Sequence, residues 1–187
     1  MDKKNLRTNN LQIRRSLPSD EREQKSLEIS KKLEGLDLFK NADHILFYYT
    51  HESEVDTVPI INKWANKKQI YLPKLRGENE FIALPFHNFD ALKKNHYGIP
   101  EPIEHKDDKG YEKKLDLIII PGAAFDRKCN RLGMGKGFYD RYLSQLPDIP
   151  RIALAFEEQM LDKVPKDSYD ESVDFIITDQ EIYKKNS

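Results

Sequence analysis

The sequence predicts an α/β fold, in which a largely parallel sheet is covered by helices on both faces. Short apolar segments alternate with helix-like segments along most of the chain. Leu115–Ile120 is almost continuously apolar and branched, which is typical of a strand buried on both faces. The 187 residues contain no internal repeat and no long linker, so we expect one domain spanning residues 1–187.

Two helices are predicted at the amino end. Residues 2–17 carry an apolar stripe beside a polar one. On a helix, the polar stripe brings four side chains within about 60° of one another: Lys3, Arg7, Asn10 and Arg14. Ser19 or Asp20 then suits the N-cap of a second helix, which ends near Leu36.

Strands and helices are predicted to alternate from there on. The predicted strands cover residues 44–49, 69–72, 81–85, 115–120, 151–156 and 173–178. The predicted helices cover residues 58–66 and 138–146, with a short one that ends at Lys163. Residues 121–137 are predicted to form a loop after the strongest strand. Because ligands of parallel α/β sheets bind outside the carboxyl ends of the strands, this loop lies where a binding site is expected.

The composition excludes several classes of protein. Charged residues make up 34% of the chain, but 31 basic and 32 acidic side chains nearly cancel, which argues against duplex nucleic acid as a partner. The longest stretches without a charged residue are nine residues, too short to span a membrane. The amino terminus lacks the apolar segment of a secretory signal, and Cys129 is the only cysteine. We therefore expect a soluble protein of a reducing cytoplasm.

The segment Arg131–Asp140 carries the strongest functional signal. Three of the chain's eight glycines fall within five residues of it: Gly133, Gly135 and Gly137. Glycines let backbone N–H groups converge on an anion, and Arg131 and Lys136 add full positive charges. The pattern indicates a phosphate site, although it matches neither GxxxxGK[ST] nor GxGxxG. A flexible turn without a ligand is the alternative.

Four other positions each have two interpretations. Asp140 either complements the dipole of the following helix or holds Mg²⁺ beside phosphates. The basic segment Lys3–Arg7 is either a solvated helix face or a contact for nucleotide phosphates. Glu54 follows the first strand and is either a ligand-binding acid or an ordinary loop acid. Asp174 opens the last strand, where it either has a function or caps the strand. The histidines show no zinc-site spacing.

Residues 121–140, PGAAFDRKCNRLGMGKGFYD, closely resemble the signature of 5-formyltetrahydrofolate cyclo-ligases, also called methenyltetrahydrofolate synthetases. Further family features recur in order at residues 3–7, 54–57, 98–102, 153–159 and 173–174. The resemblance implies a ligase of folate one-carbon metabolism with a three-layer α/β/α fold around a mainly parallel sheet. It also implies that 5-formyltetrahydrofolate is converted to 5,10-methenyltetrahydrofolate with ATP and Mg²⁺, releasing ADP and phosphate. We accordingly expect a monomer whose partners are these small-molecule substrates.

The resemblance also assigns roles to single residues. ATP would be bound by Lys3, Lys4, Asn5, Leu6, Arg7, Arg131, Leu132, Gly133, Met134, Gly135, Lys136, Gly137, Phe138 and Tyr139. Arg131 and Lys136 would be the catalytic cations on its phosphates. The folate would be bound by Tyr49 and Glu54, and the Mg²⁺ ion by Asp140 and Asp174.

In the family, the formyl oxygen attacks the γ-phosphate of ATP, N10 of the folate attacks the resulting iminium carbon, and phosphate leaves. Such chemistry needs positioned cations more than a strong base. The chain departs from the family at Cys129, where glycine is common, and a positive φ there would strain a cysteine. Two alternatives remain: an enzyme of similar layered fold that acts on sugar phosphates or coenzyme A esters, and a non-catalytic protein that binds folate or nucleotide.

Overall fold

The computed structural model describes residues 2–106, 108 and 110–185. The helices in this part of the chain are α1 (Lys3–Ser16), α2 (Ser19–Gly35), α3 (Asp37–Asn41), α4 (Val58–Trp64) and α5 (Phe138–Leu143). The strands are β1 (His44–Leu46), β2 (Gln69–Arg76), β3 (Glu80–Pro85), β4 (Leu92–Lys94), β5 (Pro100–Pro102), β6 (Leu117–Ile120), β7 (Ala124–Asp126), β8 (Arg131–Leu132), β9 (Arg151–Leu154), β10 (Met160–Leu161), β11 (Phe175–Ile177) and β12 (Ile182–Lys184). Within the described residues, no helix is both long and apolar enough to cross a membrane.

A seven-stranded sheet forms the centre of the fold, with the strand order β12-β11-β9-β6-β1-β2-β3. The five inner strands are parallel to their inner neighbours, whereas β3 and β12 are antiparallel edge strands. The mainly parallel sheet predicted from the sequence is thus confirmed. Its parallel strands all end at one edge, which is where a ligand site is expected.

Strand β6 shows why the fold has three layers. Leu117 and Ile119 face one apolar cluster, which includes side chains of α2, α3 and α4. Ile118 and Ile120 face the opposite cluster, which includes Leu143 of α5. All four β6 side chains are at most 1% exposed. Because successive side chains of a strand point to opposite faces, a continuously apolar strand requires a cover on both sides.

The loop predicted for residues 121–137 contains two short strands. Strands β7 and β8 pair with each other, and β10 adds to β7, which gives a separate three-stranded sheet. The buried carboxylate of Asp126 holds this hairpin, since it accepts hydrogen bonds from the backbone N–H groups of Lys128, Asn130 and Val164 at 2.9–3.1 Å. Cys129 lies in the hairpin turn, fully buried and with a φ of 61°.

The short helix predicted to end at Lys163 is wrong. Only a single 3-10 turn forms, at Glu157–Gln159, and the chain then enters β10. The side chain of Gln159 explains the difference, because it accepts the Phe156 N–H at 3.0 Å and donates to the carbonyl of Gly122 at 2.9 Å. These contacts tie the segment to the end of β6 and leave it extended.

Candidate active site

A cavity of about 390 Å³ lies at the carboxyl ends of the parallel strands. We call it the central cavity. Tyr48 and Tyr49 follow β1, Pro121 follows β6, and all three line the cavity. Its walls are completed by α1, by the glycine loop (residues 133–137) and by the hairpin of β4 and β5. The cavity therefore occupies the position that the parallel sheet topology favours for a ligand.

The glycine loop joins β8 to α5 and packs against α1. Nε of Arg7 donates to the carbonyl of Gly133 at 2.8 Å. Gly135 has a φ of 100°, and a Cβ atom there would lie 3.2 Å from Cζ of Arg7. Gly137, with a φ of 68°, precedes the first residue of α5. Side chains at Gly135 and Gly137 would be strained in this conformation, which explains the glycines.

Lys136 is exposed on this loop and lines the central cavity. Within the described residues its ammonium group makes no ion pair, and only its carbonyl is engaged, by Nη2 of Arg141 at 2.8 Å. Lys136 is therefore a cation held on a fixed backbone with its charge available to a ligand.

Arg131 and Asp140 form an ion pair beneath the loop. Nη2 of Arg131 lies 2.7 Å from Oδ1 of Asp140, and their side chains are 3% and 16% exposed. Asp140 also accepts the backbone N–H of Glu171 at 3.2 Å. Nε of Arg131 is buried and has no hydrogen-bond partner in the described structure. The guanidinium also lies over the ring of Tyr139, with Cζ 5.7 Å from the ring centroid.

Glu54 also lines the central cavity and lies in the loop after β1. Its Oε2 accepts the backbone N–H of His51 at 3.0 Å. Burial raises the pKa of Glu54 to about 7, and the positive charge of Arg14 opposes this rise. The pKa of Tyr139 is raised well above its ordinary value, first by burial and then by Glu54, so its phenol stays protonated.

Apolar and aromatic side chains close the rest of the central cavity. Leu75 of β2, Phe81 of β3 and Ile99 before β5 form one wall. The rings of Phe81 and Tyr139 have centroids 5.1 Å apart. Tyr49 lines the cavity and contacts the ring of Phe89 edge to face at 6.5 Å. Walls of this kind suit a flat aromatic ligand, and Glu54 and the glycine loop supply polar groups to the same cavity.

The N-terminal segment lies between the glycine loop and the acidic residues Asp167 and Asp170. Lys3 pairs with the carboxylates of Asp167, at 2.6 Å, and Asp170. Leu6 packs against the sheet formed by β7, β8 and β10. Residues 3–7 of α1 do not line the central cavity, whereas Leu11, Arg14 and Arg15 further along α1 do. Arg7 is the residue of this segment that contacts the glycine loop directly.

Most of the other predicted site residues line the central cavity. They are Tyr49, Glu54, Arg131, Gly133, Met134, Lys136, Gly137, Phe138, Tyr139 and Asp140. Leu132 of β8 and Gly135 of the glycine loop are not lining residues. Asp174 is at the amino end of β11, where its Oδ2 accepts the backbone N–H of Arg151 at 2.8 Å. The described residues contain no group of three or more potential metal-ligating side chains.

Arg14 is the cavity residue whose importance sequence reasoning missed. The helical stripe that contains Lys3 and Arg7 includes it, but a stripe does not tell which of its cations is buried.

A further cavity of about 550 Å³, here called the second cavity, lies between α2 and α4. It shares Glu52 and Glu54 with the central cavity.

Comparisons with known proteins give consistent results. The model of the 5-formyltetrahydrofolate cyclo-ligase family matches residues 1–179. The chain is 29% identical to the 5-formyltetrahydrofolate cyclo-ligase of Mus musculus, covering 94% of this chain and 92% of that protein. It is 30% identical to the enzyme of the same description from Haemophilus influenzae, covering 88% and 91%.

Solved structures agree with the sequence matches. The 5,10-methenyltetrahydrofolate synthetase of Aquifex aeolicus superposes with a TM-score of 0.89 at 31% identity, covering 100% of this chain and 94% of that one. The 5,10-methenyltetrahydrofolate synthetase of Mycoplasma pneumoniae superposes with a TM-score of 0.76 at 27% identity, covering 96% and 99%. The likeness thus extends over nearly the whole of both chains.

Proposed function

Because the chain belongs to the 5-formyltetrahydrofolate cyclo-ligase family, we propose that its central cavity converts 5-formyltetrahydrofolate to 5,10-methenyltetrahydrofolate at the expense of ATP. One observation carries this proposal. Tyr49 and Glu54 line the same cavity as Arg131 and Lys136, so the residues assigned to the folate and those assigned to the phosphates face one space. The cavity thus combines an aromatic slot with a cationic loop, as the reaction requires.

The reaction needs ATP because the formyl oxygen of an amide is a poor leaving group. In the proposed sequence this oxygen attacks the γ-phosphorus, the bond from that phosphorus to the bridging oxygen breaks, and ADP departs. N10 then attacks the activated formyl carbon and loses its proton, and the former formyl oxygen leaves as part of inorganic phosphate. Both steps depend on reactants held in line and on charge neutralised at the phosphates.

Arg131 and Lys136 are assigned to the phosphates. The side chain of Lys136 is exposed beside the cavity, and Arg131 lines the same cavity. Arg7 supports the loop through Gly133. The contact of Lys3 and its neighbours with ATP stays a prediction, since Lys3 would have to exchange Asp167 and Asp170 for a phosphate.

Tyr49 and Glu54 are assigned to the folate. A pterin ring presents several N–H donors along one edge, and an ionised carboxylate accepts such donors well. Glu54 is the acid placed to do so, because its loop is fixed by the hydrogen bond from His51 and it lines the cavity. The neighbouring apolar wall, with Leu75 and Phe81, suits the flat rings of the substrate.

Asp140 fits a magnesium site, because its carboxylate lines the cavity on the phosphate side and hard oxygen ligands suit Mg²⁺. The metal, when bound, would neutralise charge on the phosphates during transfer. Asp140 would then exchange its ion pair with Arg131 for the metal. Asp174 stays a predicted ligand, and its carboxylate is engaged at the amino ends of the strands.

The experiment that tests this function is a direct assay. Purified protein is mixed with 5-formyltetrahydrofolate, ATP and Mg²⁺, and the near-ultraviolet absorption of the methenyl product is followed. We expect product to form only when ATP is present. Absence of an ATP-dependent signal at every substrate concentration would contradict the proposal. Thermal unfolding with and without ATP and Mg²⁺ separates it from a sugar-phosphate or coenzyme A ester enzyme, which would not be stabilised by the nucleotide.

A further inference from the structure

Arg14 is a buried cation on the wall of the central cavity. The residue is 3% exposed. Its Nε donates to Oγ of Ser53 at 3.1 Å, and its Nη1 donates to the carbonyl of Gly122 at 3.3 Å. Both acceptors are neutral, and within residues 2–106, 108 and 110–185 the guanidinium has no carboxylate at ion-pair distance. The two contacts link α1 to the Glu54 loop and to the end of β6.

An arginine in this position needs a negative charge nearby. Taking a cation out of water without a counter-charge costs several kcal/mol, so buried charges are normally compensated. The acids on either side of Ser53 are Glu52, which pairs with Arg15 at 2.7 Å, and Glu54, and both line the same cavity. Burial lowers the pKa of Arg14, and the charge of Glu54 opposes this change more than that of Glu52 does. Arg14 in turn favours the ionised form of Glu54.

The other groups around Glu54 do not replace Arg14. Arg14 comes from α1, Tyr48 from the segment after β1, and Tyr139 from α5. Burial raises the pKa of both tyrosines well above the ordinary value, so neither carries a charge. In its own loop, His51 donates a backbone N–H, and the charge of Glu52 disfavours ionisation of Glu54. Among the charged groups that act on Glu54 in the described structure, Arg14 is the cation.

We propose that Arg14 is a positioning residue for this reaction: its guanidinium holds the Ser53–Glu54 segment at the cavity wall and supplies the buried positive charge that faces Glu54 when this residue accepts N–H groups of the folate. This proposal rests on the folate side of the proposed function. It assigns to Arg14 no contact with the reacting atoms.

The test compares Arg14→Gln, which removes the charge but keeps an N–H donor, with Arg14→Lys, which keeps the charge. The readout is the pH dependence of kcat/KM for 5-formyltetrahydrofolate. At low pH, kcat/KM should fall as Glu54 takes up a proton, and this fall is the acid limb of the profile. In Arg14→Gln the acid limb should move to higher pH by about one unit, so that kcat/KM at a pH below the limb is about tenfold lower than in the unaltered protein. The loss should close at high pH, where Glu54 ionises in both proteins. Arg14→Lys should keep the position of the limb.

Arg127→Gln is the matched control, since Arg127 is an exposed arginine in the turn between β7 and β8. It should leave the profile unchanged. An unmoved limb in Arg14→Gln, or equal shifts in the Gln and Lys variants, would overturn the proposal. If Arg14→Gln does not fold, Arg14→Lys decides: the shorter side chain cannot hold Ser53 as arginine does, so KM must rise while the limb stays, and an unchanged KM refutes the positioning role.

Failure of the proposed function gives a different result. If the unaltered protein makes no methenyl product, that function fails, whatever the Arg14 variants do. Calorimetric titration with 5-formyltetrahydrofolate alone, between pH 6 and 8.5, then tests Arg14 separately from catalysis. Affinity should fall at low pH in Arg14→Gln more than in the unaltered protein, and parallel pH profiles would refute the inference.

Discussion

Nη2 of Arg131 donates to Oδ1 of Asp140 at 2.7 Å, although the proposed reaction assigns these two side chains to different partners. Arg131 is assigned to the phosphates and Asp140 to the metal that accompanies them. Without ligand, the two charges satisfy each other in a site that is mostly closed to water. When the nucleotide binds with Mg²⁺, Arg131 would pair with a phosphate and Asp140 with the metal. Each charge would thus keep a partner of opposite sign.

Asp140→Asn tests the role of this carboxylate. We expect the Mg²⁺ concentration that gives half-maximal activity to rise at least about tenfold, because a metal ligand loses its charge. The free energy of unfolding should fall by about 3 kcal/mol, because Arg131 is left buried without its counter-charge. Magnesium titrations of activity and denaturant unfolding measure the two effects. A variant that needs no additional Mg²⁺ would refute the assignment.

Asp174→Asn examines the second predicted ligand. Its carboxylate holds the backbone N–H of Arg151 at 2.8 Å, so the substitution should lower the melting temperature. If Asp174 also reaches the metal, the Mg²⁺ requirement rises as in Asp140→Asn. An unchanged Mg²⁺ requirement with a lowered melting temperature would assign Asp174 a structural role alone. The same magnesium titration and a thermal melt distinguish these results.

Lys136→Ala should abolish turnover and leave the fold intact. The side chain is exposed and has no ion-pair partner in the described structure, so its loss removes charge from the phosphate site without disturbing packing. Product formation and thermal unfolding are measured together. Lys128→Ala, at an exposed position in the β7–β8 turn, is the control and should remain active. Full activity in Lys136→Ala would show that the glycine loop has another purpose.

The stability of the fold should depend on Glu54 in a defined pH window. The pKa of Glu54 is raised from 4.5 to about 7, mainly by burial, so between these values the folded protein keeps a proton that the unfolded chain has released. Stability contributed by Glu54 is therefore present below about pH 4.5 and is lost as the pH rises to 7, by up to about 3 kcal/mol.

Unfolding of the unaltered protein and of Glu54→Gln by denaturant at pH 5 and pH 8 measures this effect. Glutamine does not titrate, so its advantage over glutamate should grow from pH 5 to pH 8. A constant difference between the two proteins would mean that Glu54 titrates at an ordinary pKa.

At position 129, glycine should give a more stable protein than alanine, which is the reverse of the usual order. The φ of 61° at Cys129 favours glycine, and a non-glycine residue there costs about 1 kcal/mol. We therefore expect Cys129→Gly to be more stable than Cys129→Ala, as measured by denaturant unfolding. At Ala155, which is buried and lies outside the positive-φ positions, substitution by glycine should destabilise in the usual way. A glycine variant weaker than the alanine variant would contradict the strain argument.

The fold was predictable where the sequence pattern is long enough to specify it. The apolar run at Leu117–Ile120 predicted a strand covered on both faces, and the structure has it. Five strands have only two or three residues each: β4, β5, β7, β8 and β10. Such strands are too short for the alternation of apolar and polar residues to be recognised in the sequence. The helix predicted after Phe156 does not form for another reason. The side chain of Gln159 bonds to the carbonyl of Gly122, far away in the sequence, and this contact decides the conformation of the segment.

The site was predictable where neighbouring residues build it. Arg131, Lys136 and Asp140 lie within ten residues, and local glycine geometry brings them to one cavity. Lys3 and Arg14 lie on one predicted stripe, yet one pairs with Asp167 at the surface and the other is buried. Which residues surround a cation on a helix depends on how the helix packs. The spacing of the cations along α1 shows which helix face they share, but it does not show what packs against that face.

Glu54 lines both cavities, so the loop that carries it has the central cavity on one side and the second cavity on the other. Ser26 of α2 accepts the backbone N–H of Asp56 at 3.0 Å, which anchors this loop from the side of the second cavity. A substitution in α2 can therefore shift Glu54 without altering any residue of the central cavity.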